Sequence, residues 1–160
     1  MSDFWLQLEY LPLSAEIGAT AWFPFMESMH VLSMCILLGA IVMVDLRVLG
    51  CAAMRYPVHV IVRELVPWAA WSFVFANVTG LAMFITRASA HVQNPAFQIK
   101  LGLLLLAGLN VAFFHFRAFP AMLRCASGEA MPSLARFTAG LSLLLWCAII
   151  LAGRWVGHVV

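Results

Sequence analysis

The sequence has few charged residues. Asp, Glu, Lys and Arg make up only 10% of its 160 residues, whereas 64% are hydrophobic. A chain of this composition cannot cover its apolar surface with polar side chains, which excludes an ordinary water-soluble domain. The net charge is only +2, which gives no indication of nucleic-acid binding. We therefore expect an integral membrane protein whose main partner is the lipid bilayer.

Cysteine pairs and enzyme motifs are also missing. The four cysteines include no CxxC or zinc-finger spacing. The sequence contains no Walker loop, dinucleotide fingerprint, nucleophile elbow or HExxH motif. These absences leave hydrolase and transferase functions without support, and a redox role is the enzyme class that stays open. Residues 1–20 lack a basic region followed by a small-residue cleavage site, so no removable signal peptide is expected.

Four hydrophobic runs are each long enough to cross the hydrocarbon layer, which requires about 20 residues. They cover about residues 22–46, 67–86, 97–119 and 134–155. The sequence therefore predicts one all-α domain over residues 1–160, an integral membrane four-helix bundle. Residues 2–20 suit a short N-terminal segment at the membrane interface. The short connection over residues 88–95 predicts that spans two and three are antiparallel neighbours.

The first connection between spans, residues 47–66, mixes basic and aliphatic side chains. Pro57 interrupts it, and the residues that follow could form an interfacial helix.

The basic residues predict the orientation of the chain. We call the membrane face that holds the N-terminus face A and the opposite one face B. Cytoplasmic connections are enriched in Lys and Arg, so the basic excess on face B predicts that both termini lie outside the cytoplasm. Face B carries Arg47, Arg55, Arg63, Arg117, Arg124 and Arg136, and face A carries Arg87, Lys100 and Arg154.

Ionisable residues inside the first run are its most informative feature. Glu27 and His30 lie one helical turn apart within it, and Asp45 lies near its other end. Such residues are costly in a membrane span and usually face the interior of a bundle. At about 1.5 Å per helical residue, His30 and Lys100 lie at similar depths. We therefore predict a buried ion pair between Glu27 and Lys100, with His30 beside it.

Two amides add to this polar core. Asn77 and Asn110 lie within spans two and three, where an amide must find a hydrogen-bond partner. Hydrogen bonding between helices is favoured over a role in binding substrate. The predicted polar core therefore consists of Glu27, Asp45, Asn77, Lys100 and Asn110.

His30 is the leading candidate for a cofactor ligand. Histidine binds haem iron, and membrane four-helix bundles are a common architecture for cytochromes b. The second ligand would be His91 or His158, with His91 preferred, although both lie roughly 10 Å nearer face A than His30. Three basic residues of face A could hold the haem propionates: Arg87, Lys100 and Arg154.

Two further histidines belong to face B. His115 lies on the opposite side of the membrane from His30, so the two cannot clamp one haem. His59 lies in the first face-B connection and could approach His115 to make a second site. The simpler interpretation is that His59 is a wetted interface residue and that His115 forms a snorkelling pair with Arg117.

The first span could instead bind copper or relay protons. Met26, His30 and Met34 are spaced four residues apart and Cys35 follows, which is a set of soft donors suited to Cu(I). Methionine at this spacing more often fills a core. A proton-linked transporter could use Glu27, His30 and Lys100 as a relay, although four spans are few for a carrier and would require oligomers.

The motifs of spans one and three resemble a family of small bacterial four-span membrane proteins of unknown function. The resemblance lies in ExxH at Glu27 and His30 with DLR at residues 45–47, in NPAFQIK at residues 94–100, and in NxxxxH at residues 110–115. It covers about residues 20–120 and implies a bacterial inner membrane but no assigned activity. With face B in the cytoplasm, as the basic residues predict, both termini would lie in the periplasm. More loosely, the chain is similar to four-helix membrane cytochromes b and copper-resistance membrane proteins, which place histidines at span ends.

The leading hypothesis is therefore a haem-b membrane protein that passes electrons between quinol and a partner at face A. His30 and His91 would be its ligands, although spans two and four have no histidine well inside the membrane that could be the second axial ligand. One alternative is a non-catalytic accessory or assembly subunit of a membrane complex, and another is copper or proton transport. A homo-oligomer or a larger complex is compatible with each.

Overall fold

The computed structural model describes residues 2–124 and 131–157, and this part of the chain is helical without any strand. Four stretches are long and apolar enough to cross a membrane: Trp22–Leu49, Val58–Gln93, Pro95–Leu123 and Ser133–Val156. The predicted multi-pass four-helix bundle is therefore confirmed. In chain order the α-helices are α1 Ser2–Glu9, α2 Pro12–Ala19, α3 Trp22–Leu49, α4 Val58–Phe84, α5 Ala88–Gln93, α6 Pro95–Phe113, α7 Phe119–Arg124 and α8 Ser133–Val156.

Local sequence explains where the long helices begin and end. Gly50 follows α3 with a φ of 82°, a left-handed conformation that glycine adopts without steric cost, and its N–H donates to the Arg47 carbonyl. Asn94 precedes α6 and its side-chain oxygen accepts a hydrogen bond from the Ala96 N–H at 2.9 Å. Pro95 occupies the first turn of α6, where a missing N–H costs nothing. Helix α6 therefore begins at Pro95, two residues before the start of about residue 97 that the hydrophobic run predicts.

The second span is longer than the sequence predicts. α4 begins at Val58, directly after Pro57, and continues through Pro67 to Phe84. Residues 58–66 are therefore helical after Pro57, as the sequence suggests, but they form the first turns of α4 and not a separate interfacial helix. Proline removes one backbone donor from a helix, and membrane helices tolerate this where neighbouring groups satisfy the freed carbonyl.

The bundle is held together mainly through α3 and α8. α3 packs most extensively on α4, α8 packs on α6, and α3 also contacts α8. The larger core cluster lies at the face-B end, where Val48, Ala118 and Ala135 are fully buried. A smaller cluster of Leu37, Ala107, Trp146 and Ile149 lies nearer the middle.

The second and third spans are not packed together. In the described part of the chain α4 and α6 share almost no close contacts, although the chain runs from one to the other through a short 3₁₀ turn and α5. The spans that the sequence predicts to be antiparallel neighbours are therefore not in direct contact with each other. Each instead packs on a different partner, which leaves space between them in the face-A half.

The N-terminal helices pack against the face-A end of the bundle. The Ser89 N–H and hydroxyl both donate to the Glu9 carboxylate, at 2.7 and 2.6 Å. The Ser14 hydroxyl donates to the Ile85 carbonyl at 2.8 Å. These bonds place α1 and α2 beside the 3₁₀ turn and α5, above the opening between α4 and α6.

Candidate functional site

A cavity of about 650 Å³ lies in the face-A half of the bundle, between α4 and α6. We call it the face-A cavity. Its volume is within the range of about 300–1,000 Å³ that cofactor and ligand sites occupy. The lining is mostly aliphatic and aromatic, and its polar members are few: His30, Asn77, Gln98, Lys100 and the indole of Trp146. Such a site suits a large apolar ligand with a small number of polar groups.

His30 lines the cavity with one ring nitrogen fixed. Its Nδ1 lies 2.9 Å from the Ala76 carbonyl oxygen and 3.1 Å from the Thr79 hydroxyl. A carbonyl oxygen only accepts, so Nδ1 carries the hydrogen and donates it to Ala76. The neutral ring therefore has its lone pair on Nε2, for which no partner is present among the described residues. An imidazole anchored through Nδ1–H to a carbonyl, with Nε2 available, is the usual state of a metal-binding histidine.

Lys100 lies in the same cavity as His30, as the depth calculation predicts. The lysine is half-buried, and in the part of the chain that the structure describes no carboxylate lies within ion-pair distance of its ammonium group. The side chain lies against Gly153 of α8, where an added Cβ would be in ordinary van der Waals contact with Lys100 Nζ, at 3.5 Å. A cation at this depth without an anion is costly, which indicates a site for an anionic group.

Glu27 does not supply that anion. Its side chain is exposed on the outside of α3, so the predicted ion pair with Lys100 is not formed. The buried positions of α3 include Ser33, Leu37, Ala40, Val44 and Val48. Extending that stripe towards face A in steps of three and four reaches His30 and Met26, and Glu27 falls beside it.

His91 is close to the face-A cavity without lining it. Its ring stacks on Phe84 at a centroid distance of 6.1 Å and lies 5.7 Å from Phe97. Phe84 and Phe97 stack on each other at 5.4 Å, and both line the cavity. The aromatic pair therefore lies against His91 on the cavity side, and the structure does not bring His91 and His30 together as two ligands of one iron. The buried Nδ1 of His91 has no hydrogen-bond partner.

The other predicted cofactor residues are distributed differently. Arg87 and Arg154 are exposed and do not line the cavity, which leaves Lys100 as the basic residue within it. His158 lies outside the described residues. Asn77 lines the cavity from α4, while its Nδ2 donates to the Phe73 carbonyl of its own helix at 2.8 Å.

Asn110 has the structural role that its position predicts. Its side chain is buried, and its Nδ2 donates to the Thr138 carbonyl at 3.1 Å, which joins α6 to α8. Interhelical bonds of this kind are worth about 0.6 kcal/mol on average in membrane proteins.

The donors for copper do not converge on the cavity. His30 and Met34 line it, but Cys35 is exposed on the outside of α3. Within residues 2–124 and 131–157, no three His, Cys, Asp or Glu side chains are grouped closely enough to hold a metal ion. Haem iron needs only one or two protein ligands, so this finding does not bear on haem.

The face-B histidines are not brought together. His59 is exposed at the start of α4, and His115 lines a small cavity of about 70 Å³ with Asp45. We call this second site the face-B cavity. His59 does not line this cavity with His115, so the second site that the sequence left open is not formed.

Several residues of the site have no clear signal in the sequence. Trp146 lies near the middle of α8, is 5% exposed and lines the cavity. Its indole N–H is buried without a partner. Trp5 of α1 also lines the cavity and contacts Phe84 edge to face at 6.0 Å. The helical stripe that Trp146 shares with buried Ser142 and Ile149 is the one sequence feature that could have identified it.

Comparison with known proteins identifies the family of this chain but not its activity. Residues 5–159 match DUF6644, a family of unknown function, and the chain belongs to it. No curated protein and no solved structure matches the chain.

Proposed function

Because the family has no assigned activity, we propose from the geometry of the face-A cavity that the chain binds haem b, with His30 as an axial ligand. The wider proposal is that it carries electrons from quinol to a redox partner at face A, in a bacterial inner membrane where face A is periplasmic. The proposal rests on one observation: the same apolar cavity contains the anchored imidazole of His30 and the ammonium group of Lys100, which has no anionic partner among the described residues.

The residues present fit the chemical groups of haem b. The macrocycle is large, flat and apolar, and the cavity offers Phe73, Phe84, Phe97 and Trp146 as lining. The iron needs a neutral imidazole nitrogen, which His30 Nε2 supplies. The propionates are anionic, and Lys100 supplies a cation inside the cavity.

When bound, haem would supply reversible one-electron chemistry within the membrane. The chain's own groups have three roles around it. The Ala76 carbonyl orients the His30 ring through Nδ1–H, and a hydrogen bond at that nitrogen increases the donor strength of Nε2. The aromatic lining excludes water from the site. Trp5 brings α1 against the cavity from the face-A side.

The test is the optical spectrum of the chain purified in detergent after expression with ample haem. We expect a Soret band that shifts on reduction with dithionite, and a stoichiometry near one haem per chain. His30→Ala should abolish the band, and Lys100→Met should weaken haem retention. His59→Ala is the matched control, because His59 is exposed at face B and should leave the spectrum unchanged. A colourless wild-type protein would refute the proposal.

One observation favours a second candidate, a non-catalytic accessory or assembly subunit. The bond from His30 to Ala76 joins α3 to α4 and by itself could be the reason for a histidine at this position. In that case His30→Ala would lower the thermal unfolding temperature and the yield of an assembled complex, and neither protein would carry a chromophore.

A further inference from the structure

The face-B cavity contains a carboxyl group that the face-A site does not use. Asp45 is 8% exposed, and its Oδ2 is buried without a hydrogen-bond partner. The Ser142 hydroxyl of α8 is hydrogen-bonded to this carboxyl across the helix interface. A buried carboxylate with an unpartnered oxygen is strongly unfavourable, whereas a protonated carboxyl or one that contacts water is tolerated.

His115 lines the same cavity from the opposite wall. It lies in a π-helical turn, Phe114–Ala118, that interrupts the third span, and such turns occur frequently at functional sites. Its Nδ1–H donates to the Val111 carbonyl at 3.2 Å, so the neutral ring has an accepting Nε2. The histidine is only half-buried and lies two residues from exposed Arg117, one of the basic residues of face B.

The space between these groups is large enough for water. The cavity measures about 70 Å³, and one water molecule needs only about 10–15 Å³ of this kind of volume. The α4 side of the lining is apolar and consists of Leu65, Val66 and Ala69. Among the residues that the structure describes, two polar groups lie near Asp45: the Ser142 hydroxyl of α8, which is hydrogen-bonded to it, and the His115 ring of the π-helical turn, which lines the same cavity.

We propose that Asp45, Ser142 and His115 form a proton-binding site at the face-B end of the bundle. A proton from water at face B passes to His115 Nε2 and on through cavity water to Asp45 Oδ2, where it forms the O–H bond of a neutral carboxyl. Release reverses these transfers and regenerates the carboxylate and hydronium, without any change of oxidation state. The site lies some 15 residues along α3 from His30, about 22 Å of helix, and does not depend on haem.

Isotope-edited infrared spectroscopy tests this directly, because the chain contains only two aspartates, Asp3 and Asp45. With carboxyl-¹³C aspartate in an Asp3→Asn background, every labelled signal comes from Asp45. We expect a labelled carbonyl band of a protonated carboxyl at neutral pH, which is replaced by carboxylate bands when the pH is raised. A labelled signal that stays in the carboxylate form across the accessible pH range would overturn the proposal.

The route through His115 has its own readout. Transfer of the reconstituted protein into D₂O should shift the Asp45 band, and His115→Gln should slow that exchange at least tenfold. Glu64→Gln is the control, since Glu64 is an exposed carboxyl of α4 and should leave the exchange rate unchanged. Equal exchange rates in wild type and His115→Gln would overturn the role of His115. Because the labelled wild-type side chain is observed in both measurements, neither requires Asp45 variants to fold.

Discussion

Gly80 provides a quantitative test of how closely α3 and α4 approach at His30. A Cβ added at Gly80 would lie 3.1 Å from His30 Cε1 and 3.4 Å from Nδ1. The first distance is below the separation of about 3.5–4.0 Å at which carbon atoms pack best. Gly80→Ala therefore forces the imidazole to move by a few tenths of an ångström, away from the position in which Nδ1 donates to Ala76.

The stability change of Gly80→Ala is compared with that of Gly102→Ala, because Gly102 has no such neighbour. Alanine is favoured over glycine inside a helix by about 0.8–1.0 kcal/mol. Weakening the His30 hydrogen bond costs up to its net contribution of about 0.5–1.5 kcal/mol. In Gly80→Ala these two terms nearly cancel. Gly102 of α6 has nothing within 4 Å of its added Cβ, so Gly102→Ala should keep the full gain.

The assay is thermal unfolding of the haem-free protein in one detergent, followed by circular dichroism. We expect Gly80→Ala to be less stable than Gly102→Ala by about 0.5–1.5 kcal/mol, the contribution of the weakened bond. In haem-loaded protein Gly80→Ala should also perturb the Soret band, while Gly102→Ala leaves it unchanged. If both variants gain the same stability, the close approach of Gly80 to His30 is refuted.

Three further predictions concern individual side chains that form hydrogen bonds. Thr79→Val removes a hydroxyl next to His30 Nδ1 and should shift the reduction potential of bound haem in a redox titration. Thr138→Val is the control, because its hydroxyl donates to carbonyls of α8 itself, and it should leave that potential unchanged. Asn110→Ala should lower the unfolding free energy by roughly 0.6–2 kcal/mol, because the bond to α8 is lost and a buried space is left; unchanged denaturation would contradict that bond. The Ser89 hydroxyl, its N–H and nearby Arg87 hold the pKa of Glu9 below its ordinary value of 4.5. Since the folded-state pKa is the lower one, these two bonds stabilise α1 fully above pH 4.5 and are lost as the pH falls through the folded-state pKa. Glu9→Gln should therefore increase hydrogen exchange in α1 at neutral pH and make that exchange depend less on acid pH. The loss of α1 stability should be less than about 1 kcal/mol, because Glu9 is partly exposed to solvent.

The sequence was sufficient for the spans because their signal is local. Long apolar runs identify membrane helices without any knowledge of their partners, and the start of α6 follows from Asn94 and Pro95. The common depth of His30 and Lys100 was also predictable, since helical rise converts residue counts into heights. The direction in which each side chain points around its helix was not predictable from depth alone. Glu27 lies about 60° around α3 from His30, and that difference decides whether it faces the bundle or its outside.

Helix pairing was the other feature that the sequence could not provide. The short connection between spans two and three is consistent both with direct packing and with a gap bridged by α5. The choice depends on how well α3 fits α4 and α8 fits α6, which is a matter of side-chain complementarity across the whole bundle. The face-A cavity, the burial of Trp146 in it and the displacement of His91 behind Phe84 and Phe97 all follow from that choice. The π-helical turn at His115 likewise has no signature in composition.

Chemical rescue of a cavity variant tests haem ligation by His30 most directly. His30→Gly removes the imidazole and leaves space where its ring was, so added imidazole can supply the missing nitrogen. The account predicts that His30→Gly loses the Soret band of the wild type and regains it with imidazole, while the band of His59→Gly never changes. A His30→Gly protein that retains the wild-type spectrum without imidazole would contradict it, and so would a wild-type protein that binds no haem.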